Sequence, residues 1–371
     1  MNLVILVGRF PPGPQGGAER QAECWARRLT ARHRVTVVTR REPPHPPGRE
    51  TRDGFEVMRL PLSRVPIWKT WRDAVGIERT VRSLDPRPDL LLCFQSFISG
   101  WAGVRVQQRL GIPAVVWIRG EGEYLLGERS IESLFNPGTW KVARGVLVQS
   151  EQGRQALLDA LDRHARPAHA AVAAHLEVVP NGIELPDAPP AGPASSDARV
   201  LTVGRLIPEK GMDTVIEAVA ALPGRLTIAG TGTERARLEA LAAQRGADVR
   251  FAGFVARDGL SALYRDASCV VLASRRGEGL PNVMLEAMAW ARPVIATPVA
   301  GVQGLVVDEV NGLLVPPDEP GALRDALGRL AREPGLAARL GAEARRTAET
   351  YAWERVQPRL ERVLERWRTA A

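Results

Sequence analysis

The chain is poor in lysine and cysteine and has no long apolar segment. Of its 50 basic residues, only Lys69, Lys141 and Lys210 are lysines. A genome-wide arginine bias is the simplest cause, but it makes each lysine worth attention. The three cysteines are far apart, which excludes a disulfide framework and a zinc spacing. No apolar run approaches the roughly 18 residues of a membrane span, and the first residues lack the basic start of a signal peptide. A reducing, cytoplasmic location is therefore expected.

Charge is distributed unevenly along the chain. The sequence carries 50 basic and 42 acidic residues, a net charge of +8. Residues 1–90 hold 17 basic and 10 acidic residues, a difference of +7, and the other residues hold 33 and 32. This distribution does not favour nucleic-acid binding, which requires a dense basic face. It leaves room for an anionic partner, a membrane surface or an acidic substrate, at the N-terminal region.

Short apolar runs alternate with stretches of helical periodicity. Runs such as Leu90–Phe94 and Val294–Ala296 are continuous in apolar residues, which is typical of parallel strands buried on both faces in βαβ units. A Pro/Ala/Ser segment near residue 190 interrupts the alternation. We therefore predict an α/β fold with two doubly wound Rossmann-like domains facing across a cleft. The predicted boundaries are 1–185 for the first domain, 186–198 for a linker, 199–352 for the second domain and 353–371 for an amphipathic closing helix.

The loop after the first strand of the second domain has the features of a phosphate-binding turn. It reads GRLIPEKG from Gly204 to Gly211 and precedes a helical stretch. Backbone N–H groups in such a turn and the N-terminus of the helix attract anions. Arg205 can bind a phosphate through two parallel hydrogen bonds, and Lys210 can act as a point charge. The alternative is a surface turn with two solvated cations.

Two carboxylates, Glu278 and Glu286, are separated by seven residues in the segment SRRGEGLPNVMLE. Glu278 falls in a loop, and Glu286 falls about one turn into a helix that opens near Asn282. Both can point into the mouth of the predicted cleft, where loop N–H groups suit an anion or a sugar hydroxyl. Alternatively, Glu278 interacts with the helix dipole and Glu286 faces solvent. Glu286 lies in an apolar stretch, however, where an unpaired carboxylate is costly.

These motifs resemble the glycosyl transferase group 1 family (glycosyltransferase family 4), whose members are retaining enzymes with the two-Rossmann-domain GT-B architecture. The resemblance covers nearly the whole chain, and its most specific element is the pair Glu278 and Glu286. Gly230 and Gly232 give only part of a dinucleotide fingerprint. Other matching segments are GGAE at 16–19, VPNGI at 179–183, the loop at 204–211, FAGF at 251–254 and NGLLV at 311–315.

The resemblance implies a role for each matching residue. The enzyme would move a sugar from a nucleotide-diphosphate sugar, a UDP- or GDP-sugar, to a glycan or lipid-linked acceptor. Arg205 and Lys210 would hold the diphosphate and stabilise its developing charge, and Glu278 would hold the donor sugar. The C-terminal helix would cross back to the first domain. The donor-binding positions would be Gly16, Gly17, Gly230, Phe254, Val255, Gly279, Leu280, Pro281, Asn282 and Glu286.

The sequence differs from the family pattern in two segments and lacks a metal-binding motif. The sequence has no Asp-x-Asp motif of the metal-binding kind, so we expect no metal and no other cofactor. Where the family often has a histidine, the sequence reads WIRGEGE. Arg119 could act there in catalysis, or it could be a surface arginine paired with Glu121 or Glu123. The usual Gly-Gly-x-x-Glu turn is replaced by AGVQG at 300–304, so the sugar is not identified.

Other functions remain open alternatives. A sugar phosphorylase or a nucleotide-sugar epimerase could use the same architecture, as could a non-catalytic nucleotide-sugar-binding protein. The segment Arg64–Arg82 combines Trp68 and Trp71 with basic residues, a composition that can lie on an anionic membrane. A loop and helix that cover the sheet would explain the same composition. We predict an acceptor at the cytoplasmic face of a membrane, a role in polysaccharide biosynthesis, and no nucleic-acid partner.

Overall fold

The computed structural model describes residues 1–12, 17–41, 48–61, 69–127, 130–187, 198–277 and 279–369. The chain divides into two compact units. One consists of Met1–Asn181 and Val356–Ala371, and the other of Gly182–Arg355. Each unit contains a sheet of mainly parallel strands connected by helices, which confirms the predicted α/β class with two Rossmann-like domains.

The first unit is built on an eight-stranded sheet in the order β3-β4-β2-β1-β5-β6-β7-β8. All neighbouring strands are parallel except β3 and β4. The sequence prediction missed β3, because its residues GRETR are exposed and charged and form no apolar run. The strands are β1 (Asn2–Val7), β2 (Arg34–Arg40), β3 (Gly48–Arg52), β4 (Phe55–Leu60), β5 (Leu90–Phe94), β6 (Ala114–Trp117), β7 (Gly145–Val148) and β8 (Leu176–Val178).

Six helices connect these strands in the part of the first unit that the structure describes. A Ser side chain caps α4 and another caps α5, since Ser130 accepts from the N–H of Ser133 and Ser150 from that of Gly153. The segment Ser96–Gly100 after β5 is an irregular turn. The helices are α1 (Gly17–Leu29), α2 (Lys69–Arg82), α3 (Trp101–Leu110), α4 (Ile131–Val142), α5 (Glu151–His164) and α6 (Arg166–Ala174).

The second unit has a six-stranded, fully parallel sheet in the order β11-β10-β9-β12-β13-β14. Its strands are β9 (Ala198–Val203), β10 (Gly224–Ala229), β11 (Val249–Gly253), β12 (Cys269–Leu272), β13 (Val294–Ala296) and β14 (Leu313–Leu314). Its helices are α7 (Met212–Val219), α8 (Arg235–Arg245), α9 (Arg257–Asp266), α10 (Asn282–Ala289), α11 (Pro320–Arg332) and α12 (Pro334–Thr350).

The sheet of the second unit is buried on both faces. Val200 and Val271 belong to one hydrophobic cluster, and their chain neighbours Leu201 and Val270 belong to another. Successive residues of a strand point to opposite faces, so each face has its own core. This explains why inner strands such as β12 and β13 appear as unbroken apolar runs.

The strand order reverses between β1 and β5 in the first sheet and between β9 and β12 in the second. At such a point, the loops that leave the carboxyl ends of the two strands run in opposite directions and open a crevice, where α/β sheets bind ligands. A ligand site of either unit is therefore expected at these edges.

The last helix, α13 (Trp353–Thr369), belongs to the first unit from Val356 onward. Its Trp367 ring covers Gly145, where an added Cβ would lie 2.4 Å from the ring. Glu361 of α13 also accepts a hydrogen bond from Arg32 at 3.0 Å. Among the helices described, none is long and apolar enough to cross a membrane.

Candidate functional site

Loops after three neighbouring strands of the second sheet pack together by backbone contact. Gly230, after β10, lies against Gly204, after β9; an added Cβ on Gly230 would lie 1.8 Å from the Gly204 carbonyl oxygen. Gly211, at the end of the β9 loop, lies against Ala273, after β12, where a Cβ would lie 2.1 Å from the carbonyl oxygen. Both glycines also have positive φ angles, 151° and 60°. Only glycine allows these loops to approach so closely.

The β9 loop carries its two predicted cations at opposite ends. Arg205 is exposed, and its guanidinium has no hydrogen bond or ion pair with any described residue. Lys210 is half-buried, and its stem lies over Gly204, with Cδ 3.9 Å from the position of an added Cβ. Between them, Pro208–Lys210 form a single 3-10 turn. An anion bound at this turn would meet a forked donor and a point charge.

Arg275, to which the sequence analysis assigned no role, fixes this turn in place. Its N–H donates to the Glu209 carbonyl oxygen at 2.8 Å, and its Nη1 donates to that of Pro208 at 2.5 Å. Its Nη2 donates to Asp213 at 2.8 Å. Burial raises the pKa of the Asp213 carboxyl, but hydrogen bonds and charge from Arg237 and Arg275 outweigh burial and hold the pKa below its usual value. Nothing in the sequence distinguishes Arg275 from Arg276, the exposed arginine that follows it.

The Glu278–Glu286 segment is described in part. Glu278 lies outside the described residues; Leu280 and Pro281 are buried, while Gly279, Asn282 and Glu286 are half-buried. Oε2 of Glu286 accepts a hydrogen bond from the Tyr264 hydroxyl at 2.7 Å. The hydrogen-bond partner expected for this carboxylate is therefore present, on α9. Sequence reasoning had no means of finding Tyr264, because the two residues lie 22 positions apart and meet only through tertiary packing.

The predicted base-binding segment adjoins these loops. The N–H of Gly230 donates to the carbonyl oxygen of Gly253 at 2.7 Å, at the end of β11. The next residue, Phe254, is 67% exposed, and Val255 is half-buried. An exposed aromatic ring beside a glycine loop can pack against a planar base.

In the first unit, Arg119 follows β6 and is only 9% exposed. The alternative of a surface arginine is therefore wrong: packing against the aromatic core removes this side chain from solvent. Its Nη2 donates to Oδ1 of Asn181 at 2.7 Å, and Cζ lies 4.8 Å from the Trp117 ring centroid and 5.1 Å from that of Phe94. The same Asn181 oxygen accepts from Gln149 at 2.8 Å. Sequence reasoning quoted Asn181 only as part of a motif and missed this contact.

The described residues satisfy only some of the hydrogen-bond donors of Arg119. Its Nε and Nη1 are buried without a partner among the described residues. Burial lowers the pKa of the guanidinium to about 9, although the negative charges of Glu123 and Glu19 oppose the shift. The N–H of Arg119 donates to Glu123 at 2.6 Å, and Ser96 donates to the same carboxylate through its N–H and hydroxyl, both at 2.6 Å. A buried cation with spare donors at the carboxyl edge of a sheet is a candidate for ligand binding.

The remaining predicted positions lie after β1. Gly16 falls outside the described residues, and Gly17 is exposed at the start of α1. No cluster of three or more His, Cys, Asp or Glu side chains that suits a metal occurs in the described ranges. The expectation that no metal is needed stays a prediction.

Comparison with known families identifies the class of the protein. Residues 16–182 match the glycosyl transferase 4-like domain, and residues 187–347 match the glycosyl transferases group 1. Together the two matches cover most of the chain, which belongs to the group 1 glycosyl transferases. The predicted recognition is thus confirmed.

Several curated proteins are similar in sequence. The D-inositol 3-phosphate glycosyltransferase of Xylanimonas cellulosilytica is 34% identical over 202 residues, 48% of each chain. The one from Kribbella flavida is 30% identical over 283 residues, 70% of this chain and 66% of that protein. The alpha-D-kanosaminyltransferase of Streptomyces kanamyceticus is 38% identical over 152 residues, 39% of each chain. The chain spans about half the length of the first of these relatives.

Solved structures share the fold over almost the whole chain. A sucrose-phosphate synthase from Thermosynechococcus elongatus has a TM-score of 0.84 at 23% identity and covers 100% of both chains. Anabaena HepE in complex with UDP-glucose has a TM-score of 0.75 at 19% identity, with 98% and 99% covered. At these identities the likeness concerns the fold, which is that of the GT-B glycosyltransferases.

Proposed function

We propose that this protein is a retaining glycosyltransferase that uses a nucleotide-diphosphate sugar as donor. The observation that carries the proposal is the close packing of the glycine loops after β9, β10 and β12, with Arg205 and Lys210 at one turn of this edge. The edge is the switch point of a Rossmann-type sheet. A UDP-sugar is the favoured donor, because the similar HepE was solved with UDP-glucose; a GDP-sugar is the second choice.

Charge stabilisation is the main task of the second unit in this proposal. As the bond to the sugar breaks, negative charge develops on the leaving diphosphate. Arg205 and Lys210 would offset this charge, and a cation that is already in place costs no reorganisation during the reaction. The exposed guanidinium of Arg205 has no competing partner among the described residues. We therefore propose that the reaction proceeds without a metal.

The segment around α10 would hold the rest of the donor. Glu286, oriented by Tyr264, would accept hydrogen bonds from the ribose hydroxyls. Glu278 and the backbone of Gly279 and Leu280 would bind the donor sugar and the nearby phosphate. Retention would follow from attack by the acceptor on the face from which the diphosphate departs.

The first unit would bind the acceptor and contribute Arg119 to catalysis. Two donors of its buried guanidinium have no partner among the described residues, and such donors suit an oxyanion. Residues 1–90 also carry a net charge of +7, from 17 basic and 10 acidic side chains. Two of the relatives are named for an inositol phosphate, which is an anionic compound. We propose an anionic or lipid-linked acceptor at the cytoplasmic face of a membrane, in polysaccharide biosynthesis.

A thermal-shift screen with UDP-, GDP-, ADP- and CDP-sugars tests the donor. A ligand that binds only the folded protein stabilises it by an amount that depends on the ligand concentration and on Kd. At a ligand concentration of one hundred times Kd, the free energy of unfolding rises by about 2.7 kcal/mol, and Tm rises with it. UDP-sugars are expected to give the largest shift. A protein that none of the four classes stabilises would contradict the proposal.

Donor turnover separates a transferase from a binding protein. Wild-type protein with the stabilising donor should release the nucleotide diphosphate. The release should be slow when water takes the sugar and faster when an acceptor takes it. Glu278→Ala should remove most of this activity. Wild-type protein that binds the donor but never releases the diphosphate would be a non-catalytic binder. Release only with inorganic phosphate would indicate a phosphorylase, and epimerised donor an epimerase.

A further inference from the structure

Large apolar side chains are exposed together on α4 in the first unit. Ile131, Leu134 and Phe135 are 64%, 79% and 48% exposed. Their spacing of three and four residues places them side by side on one face of the helix, and Val142, 38% exposed, continues that face. Single exposed apolar residues are ordinary, whereas a contiguous group marks an interaction surface.

This face of α4 borders two further helices. The connections β4-α2-β5, β5-α3-β6 and β6-α4-β7 all advance in the same direction across the sheet. Right-handed crossovers therefore place the three helices on one face of it. Helix α3 packs against both α2 and α4. The Trp101 ring of α3 meets the Phe135 ring at a centroid distance of 6.3 Å, and Trp71 of α2 is 49% exposed.

The charges on this helix layer are mostly positive. Glu78 of α2 is buried and accepts from Arg105 at 2.8 Å, while Arg82 and Arg109 lie 3.3 and 3.8 Å away and are 63% and 55% exposed. One carboxylate thus faces three guanidinium groups. Among the described side chains of the three helices, the exposed charged residues are one acid, Glu132, and five bases: Arg72, Arg79, Arg82, Arg109 and Lys141.

We propose that this surface, formed by the outward face of α4 and the five exposed bases, docks on an anionic lipid bilayer. The apolar side chains of α4 would enter the boundary between headgroups and acyl chains, and the bases would meet the anionic headgroups. A second copy of the chain fits this surface poorly, because a two-fold contact would bring its cations against the same cations. The inference rests on the membrane part of the proposed function. It assigns the contact to α4, which the sequence analysis did not single out.

Co-sedimentation with lipid vesicles tests the proposal. Wild-type protein should bind vesicles of phosphatidylglycerol and phosphatidylcholine, bind phosphatidylcholine alone more weakly, and lose affinity as salt rises. The double variant Leu134→Ser/Phe135→Ser should bind roughly tenfold more weakly or worse, because it removes apolar area that enters the bilayer. Arg79→Gln/Arg82→Gln should also bind roughly tenfold more weakly.

The matched controls change similar residues on the second unit. Val307 and Val310 are 51% and 47% exposed, and the double variant with serine at both should bind vesicles like the wild type. Arg225→Gln/Arg324→Gln should do the same, since both arginines are exposed and paired with an aspartate. The Tm of each variant shows that it is folded.

Three results would overturn the proposal. In the first, wild-type protein does not bind anionic vesicles. In the second, the α4 variant binds vesicles as tightly as the controls do. In the third, the wild type is a dimer in lipid-free solution and Leu134→Ser/Phe135→Ser abolishes that dimer. Donor-induced stabilisation, measured on the same variants, should equal that of the wild type. Its absence in every variant and in the wild type would refute the transferase proposal and leave the vesicle result standing.

Discussion

Replacing Tyr264 by phenylalanine tests whether Glu286 is a donor ligand positioned by its neighbour. The substitution removes one hydroxyl and leaves the ring, which is 2% exposed, in its packing position. The lost contact is a 2.7 Å hydrogen bond to a carboxylate. Hydrogen bonds to charged groups contribute about 1.5–3 kcal/mol. Glu286 is only half-buried, so water can partly replace the hydroxyl, and we expect a loss near the lower figure.

Two measurements follow from this value. A loss of about 1.5 kcal/mol lowers the Tm of a unit of this size by roughly 3–6 °C. If the orientation of Glu286 depends on the hydroxyl, donor Kd in a thermal-shift titration should rise by up to about tenfold, with kcat nearly unchanged. Tyr351→Phe is the control, because the Tyr351 hydroxyl makes no hydrogen bond to any residue in the described part of the unit.

The reasoning would be refuted in either of two ways. Donor affinity could stay at the wild-type value in both Tyr264→Phe and Glu286→Gln, in which case Glu286 binds no part of the donor and only anchors Tyr264. Alternatively, Glu286→Gln could weaken binding while Tyr264→Phe does not, in which case the carboxylate needs no support from α9.

Three further predictions concern charge, the donor loop and packing. Arg119 is charged below its pKa of about 9, so kcat should fall as the pH rises through 9. In Arg119→Lys this fall should begin at a lower pH, because the ordinary pKa of lysine is about two units below that of arginine. Arg275→Met should raise donor Kd about tenfold or more, since it frees the turn at 208–210, whereas exposed Arg276→Met should not. Gly145→Ala should lower the free energy of unfolding by about 1–3 kcal/mol in a denaturant titration, because the added Cβ would overlap the Trp367 ring of α13. Gly76→Ala is the control: it has open space around it and should raise the free energy of unfolding by up to about 1 kcal/mol.

The strands were predictable because burial on both faces leaves a direct trace in sequence. Runs such as Leu90–Phe94 and Val294–Ala296 coincide with strands, since each residue in them packs against one layer of helices or the other. The edge strand β3 left no such trace. Its register comes from pairing with β4, and its residues face solvent.

The candidate site was predictable only where the backbone itself forms it. The glycines at 211 and 230 were visible because close backbone contact allows no other residue. The contacts of Arg119 with Asn181, and of Glu286 with Tyr264, join residues 62 and 22 positions apart. Such pairs form only after the sheets are assembled, so composition and spacing carry no signal for them. The apolar face of α4 was missed for a related reason, because an apolar stripe on a helix normally predicts a buried face.

The scarcity of lysine gives the protein an internal set of chemical reporters. An amine-reactive reagent can modify only three side chains, at Lys69, Lys141 and Lys210. Lys141 lies on α4, and Lys210 lies in the glycine-bounded turn after β9. Peptide mass analysis after brief acetylation therefore reads two surfaces at once. A bound nucleotide sugar should protect Lys210 and leave Lys141 reactive, whereas anionic vesicles should do the reverse.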